Sequence, residues 1–132
     1  MSVIHAQLAP GFDSGHDAVL LAMDDAGVSD VLAAMTEAAR HGSARLDHGA
    51  TIHQFLLEPG AANVEFHDGT VVWRLDAVKA AEIIDLLTEL DGPPSTGHHY
   101  VEGMSTPAET IVLSRNEYLD MLPAEATFPP VA

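Results

Sequence analysis

Eight histidines fall in 132 residues that include no cysteine. Imidazole exchanges protons near neutral pH and ligates metals, so the histidine spacing is the first place to look for chemistry. The densest point is His98-His99, with Tyr100 beside them. A histidine here can serve as a general base, and the loop 92–97 (Gly92, Pro93, Pro94, Ser95, Thr96, Gly97) can rim a small-molecule pocket. His48, His53 or an aspartate would be its partner. One fact weighs against a shared centre: on an extended strand adjacent side chains point to opposite faces. His48 and His53 straddle a turn, and His67 lies beside Asp68. None of the histidines has zinc-ligand spacing on a helix, and no thiolate is present to close a structural site. The expectation is no bound metal and no cofactor.

Other catalytic signals are missing. There is no GxGxxG or Walker loop to cradle phosphate and no HExxH. There is no GxSxG elbow, and thiol catalysis needs a cysteine. No catalytic residue is assigned. Two groups of carboxylates remain. Asp24-Asp25 reads as a helix start, where negative charge meets the positive end of the helix dipole. Glu82, Asp85 and Glu89 form the outer face of a helix, which is either a solvated surface or a docking face for a basic partner.

These residues need elements to position them. Ala18–Met23 reads as a strand. Asp24 or Asp25 can cap a following helix to about Arg40, with Val28, Val31, Leu32, Met35 and Ala39 at helical spacing. Gly42 is placed to end it in a left-handed conformation. Val64 and Phe66 alternate with Glu65 and His67. Asp68-Gly69 then turns a hairpin through positions that favour positive φ, and Val71, Trp73 and Leu75 return on one face. Asp76 caps a helix from Ala77 to Leu90 with an apolar stripe of Ala80, Ile83, Ile84, Leu87 and Leu90. Gly92-Pro93-Pro94 ends it. Further strands are expected at Ser43–His48, Thr51–Leu57, His98–Glu102 and Thr110–Leu113, and an edge strand at Val3–Leu8. Ser114 and Glu117 match a capping box for a short helix from Asn116 to Leu122.

The first two strand–helix units align at an offset of 52 residues: Val19 with Val71, Met23 with Leu75, Asp24 with Asp76, Val31-Leu32 with Ile83-Ile84. Duplication of a ββα unit is one reading, and chance similarity of two capped units is the other. The expected fold is α+β. An antiparallel or mixed sheet carries the two main helices on one face, with Trp73 in the core. The opposite face would hold Val72, Arg74, Glu65 and His67, half polar and open to a partner or a second copy. Residues 1–122 are expected to form one domain, and 123–132, with three prolines, a loosely held tail.

Five Lys and Arg face 20 Asp and Glu, a net charge of −15. Such a chain repels nucleic acid and anionic membranes and attracts basic proteins. The apolar fraction of 47% is well above that of disordered chains. The N-terminus lacks a basic region and an apolar run, so no signal peptide is expected and the cytoplasm is the expected compartment. The favoured reading is a small, acidic, non-enzymatic protein that binds a basic protein, such as an immunity- or inhibitor-type protein. Its partner-binding residues would be Glu82, Asp85 and Glu89, and a homodimer is compatible with it. The alternative is a small-ligand binder or enzyme using His98, His99 and Tyr100.

Overall fold

The structure is a computed structural model that describes residues 3–13, 15–93 and 96–117. Its elements run β1 (Ile4–Asp13), β2 (His16–Met23), α1 (Asp25–His41), β3 (Ser43–His48), β4 (Thr51–Leu57), β5 (Ala62–His67), β6 (Thr70–Leu75), α2 (Ala77–Leu90), β7 (Gly97–Val101) and β8 (Ile111–Arg115). Among the described residues the class is α+β with two helices, and the strands divide between two four-stranded sheets, ordered β1-β2-β8-β7 and β3-β4-β6-β5. Each sheet is two antiparallel hairpins joined by one parallel seam, β2 with β8 and β4 with β6.

The strand orders contain a repeat. Replacing β1-β2-α1-β3-β4 by β5-β6-α2-β7-β8 turns the first sheet into the second read backwards. The repeating unit is ββαββ, larger than the ββα unit visible in the sequence. Each sheet takes one hairpin from each half.

Both helices start where short-range chemistry places them. The Asp24 carboxylate accepts from Gly27 N at 2.7 Å and from Val3 N at 2.9 Å, so one cap also anchors the first strand. The Asp76 carboxylate accepts from Lys79 N at 2.7 Å. Gly42 ends α1 at φ 90°, a conformation that penalises a Cβ. In the β5–β6 turn Gly69 adopts φ 71°, whereas Asp68 stays at negative φ.

The core lies between the sheets and helices. Leu21, Met23, Val28, Met35, Trp73, Leu75, Leu87, Ile111 and Leu113 are all buried there. A smaller cluster of Ala9, Ala18, Leu20, Ala22 and Val112 occupies the other face of the first sheet, with Phe12 against it. The buried stripe of α2 is Ala80, Ile83, Leu87 and Leu90. Ile84, expected in the same stripe, is half-buried at its edge.

Arg115 fastens the far end. Its guanidinium donates to the carbonyls of Leu90 and Gly92 at the end of α2 and, at 2.8 Å, to Asp25 at the start of α1. These bonds from Arg115 and Asn116 hold the Asp25 carboxyl below its ordinary range. The capping box at Ser114 does not form. Ser114 is a buried residue of β8, a strand covered on both faces, and Asn116 follows at φ 60°. The expected helix beyond Glu117 and the tail 123–132 lie outside the described residues.

Candidate functional site

The three acidic residues singled out from sequence share one side of α2 with Val78. They continue from it at helical steps of four, three and four residues, forming a single stripe. Val78 is 78% exposed and, with Tyr100, is one of two exposed large hydrophobic residues among the described residues. Beside it, where α2 begins, Leu57, Glu58, Pro59, Asp76 and Ala77 line an open, mainly apolar groove of about 520 Å³. Its acidic rim is held in place. Glu58 is paired with Arg74, which also contacts Glu65 at 2.8 Å. Glu82 is held by Lys79 at 2.9 Å, and Glu89 lies 3.3 Å from His99. Asp85 is exposed at mid-stripe.

His98, His99 and Tyr100 are carried by β7, the edge strand of the first sheet. Alternation separates them. His98 and Tyr100 share a side, edge to face with ring centres 5.3 Å apart, and His98 Nδ1 lies 2.6 Å from Glu117 Oε1. His99 turns the other way, toward Glu89. The strand does not converge these three rings on one point. Among the described residues, no three His, Asp or Glu side chains are grouped to hold a metal ion.

A different histidine proves to be the unusual one. His53, on β4, points inward in phase with Phe55 and is 1% exposed. Its ring packs beside Phe55 and Trp73, with centres 6.4 and 6.2 Å away. Trp73 Nε1 donates to His53 Nδ1 at 3.2 Å. An indole nitrogen only donates, so Nδ1 must be the acceptor and the ring proton must be on Nε2. Burial, assisted by the neighbouring His48 and His5, pushes the His53 pKa down to about 4. The ring is therefore neutral at pH 7, in one tautomer. Its Nε2–H is buried and has no hydrogen-bond partner among the described residues.

His53 forms part of the wall of a cleft of about 140 Å³, built from β1 (residues 4–6), the start of β4 (Thr51) and the end of the β5–β6 hairpin (His67 and residues 69–71). His5 is half-buried here, and that burial lowers its pKa. His67 bonds Glu65 at 3.1 Å, a contact that, with Arg74, lowers the Glu65 pKa.

No known family, curated protein or solved structure matches this chain.

The cleft was missed in the sequence because β4 carries apolar residues on both faces, Ile52 and Leu56 against Phe55. Its inward phase was undetermined. The offset of 52 seen in the sequence carries His53 to Ser105, and only the strand registers place it in correspondence with Ile111.

Proposed function

We propose that this chain is a non-enzymatic binding protein that docks a basic partner protein on the α2 groove and its acidic stripe. The observation that carries this reading is Val78, which stands 78% exposed at the head of the stripe and opens into an apolar groove. An apolar contact surrounded by charge is the usual layout of a protein-docking surface, with the apolar centre supplying affinity and the rim supplying steering. Glu58, Asp76, Glu82, Asp85 and Glu89 make the rim acidic on balance against Arg74 and Lys79, in a chain of net charge −15. The complement is a basic segment that presents an aliphatic or aromatic side chain to the groove. An inhibitor- or immunity-type protein acting on a basic target has these requirements. The alternative at His98–Tyr100 has no comparable observation behind it, because that strand sends its two histidines to opposite sides.

The test is capture of the partner from the native cell, followed by binding kinetics. Association is expected to slow as salt rises from about 0.1 M to about 1 M, where the Debye length falls from about 10 Å to about 3 Å. Replacing Glu82, Asp85 and Glu89 by their amides is expected to lower the on-rate, and Val78→Ser to raise the off-rate. An acidic partner, or association indifferent to salt and to Val78, overturns the reading.

A further inference from the structure

The two halves of the fold can be laid on one another through their registers, and one place where they differ is the surroundings of His53. Trp73 pairs with Phe55 across the β4–β6 seam, and Leu21 pairs with Leu113 across the β2–β8 seam. Since Leu21 and Trp73 correspond, Phe55 corresponds to Leu113, and His53 corresponds to Ile111. A fully buried isoleucine in one half is thus a fully buried imidazole in the other.

The surroundings differ in the same place. In the second half, β7 and β8 are joined by residues 102–110, and this connection folds back onto the β5 edge. Ser105 N donates to Ala62 O at 2.8 Å and Val64 N donates to Thr106 O at 2.9 Å. Met104 and Ala108 from the same connection are buried in the core. Ala62 to Val64 correspond to Ile4 to Ala6, because Ala62 pairs with Leu75 as Ile4 pairs with Met23. In the first half the connection between β3 and β4 is only Gly49 and Ala50. Nothing of that length can cover Ile4–Ala6, and the cleft opens there. The histidine and the cavity therefore occur together, at the one site where the second half is plugged and aliphatic.

Burying an N–H donor without an acceptor is costly, so such a group in a cavity wall points to an acceptor that completes it. The acceptor's chemistry follows from the lining. His53 offers a neutral N–H donor, and Thr51 and Thr70 offer hydroxyls. In a chain with 20 acidic residues, none of the described residues lining the cleft is acidic. His5 and His67 add two further imidazoles to the lining, and Ile4, Ala6 and Val71 supply its apolar surface. A volume near 140 Å³ is similar to that of cavities that hold a ligand of about six non-hydrogen atoms.

We propose that the cleft beside His53 is a binding site for a short-chain carboxylate, with one carboxylate oxygen accepting from His53 Nε2–H and the alkyl chain against Ile4, Ala6 and Val71. The site is separate from the α2 groove and does not depend on a protein partner.

The experiment is a titration of the isotopically labelled full chain with butyrate at pH 7, with butylamine as the control of opposite charge. It is followed by backbone amide and imidazole nitrogen NMR. Saturable shifts are expected at residues 4–6, 51–53 and 69–71, together with a change at His53 Nε2–H. A dissociation constant on the order of 1 mM is expected for so small a ligand. His53→Ile, which installs the residue of the other half, is expected to weaken butyrate at least about tenfold, the effect of losing a hydrogen bond to a charged group. If that variant does not fold, the His53 Nε2–H response of the natural chain decides alone. The proposal is overturned by an absence of saturable shifts in the cleft, as expected were water its sole occupant. Equal binding of butylamine, an unmoved Nε2–H signal, or unchanged affinity in folded His53→Ile also overturns it.

Discussion

Acidification from pH 7 to pH 5 is expected to remove about 2 kcal/mol of stability through His53 alone. Its pKa is about 4 in the folded chain and near 6.5 in an unfolded one. Between those values the unfolded chain binds a proton that the folded chain refuses. Stability is therefore intact above about pH 6.5 and falls with pH, approaching a loss of about 3 kcal/mol below pH 4. At pH 5 this proton raises the unfolding equilibrium constant by a factor of about 30, which gives the figure of about 2 kcal/mol. The remaining titratable groups also respond to pH, so the contribution must be isolated by difference. Urea denaturation of the natural chain and of His53→Ile, each at pH 7 and pH 5, provides this. Loss of the Trp73 acceptor weakens the variant at both pH values and cancels, as do the carboxylates. The natural chain is expected to lose about 2 kcal/mol more than the variant on acidification. Equal losses would refute the claim that a neutral, single-tautomer imidazole is locked in this core.

Other substitutions test the local reading. Gly27→Ala should destabilise, although alanine is the better helix former by about 1 kcal/mol. A Cβ there would lie 2.1 Å from Val3 O, so the first strand must move, which puts at risk both the Asp24 N–H bond to Val3 O and the Val3 N–H bond to the Asp24 carboxylate. A net loss of about 1 kcal/mol in denaturant melts, with faster amide exchange at Val3, is expected. Ile83→Asp buries an unpaired carboxylate and should cost several kcal/mol, whereas Glu82→Gln should change thermal stability by less than about 0.5 kcal/mol. Equal losses in the two melts would mean that the helix phase is wrong. Asp76→Ala removes the cap of α2 and should cost about 1 kcal/mol by chemical denaturation.

The helices were legible in the sequence because their signals are local. Asp24, Gly42 and Asp76 mark ends within a turn of the chain, and the stripes between them set the phase to within a residue: Ala38 rather than the expected Ala39 is buried on α1, and Ile84 lies at the edge on α2. The hairpin at Asp68-Gly69 is equally local. The division into two sheets was not legible, because it depends on the seams β2–β8 and β4–β6. Parallel pairing leaves no turn signature and joins segments remote in sequence. Ser114 misled for a related reason. Its spacing from Glu117 suits a cap, but β8 is a central strand whose both faces are covered, and tertiary burial overrode the local signal. The acidic stripe was visible as a helical pattern. The groove beside it was not, since residues 57–59 reach α2 only through the fold. His53 required knowledge of which face of β4 looks inward.

The exchange of hairpins between the halves also governs how this molecule can be made. Its architecture is that of two intertwined protomers fused into one chain, each lending the other a hairpin. As the first half leaves the ribosome, β2 and β4 each have one unsatisfied edge, and their partners β8 and β6 have yet to be synthesised. The β3-β4-β6-β5 sheet can close once β6 ends at Leu75, but the first sheet must wait for β8 at Ile111–Arg115, so folding should be slow for its size and complete only when the chain nearly is. Until then two nascent copies can satisfy each other's edges, and crowding during synthesis would favour interlocked dimers over monomers. Cut between β4 and β5, the two fragments should each be unstable alone and should reassociate into the parent fold.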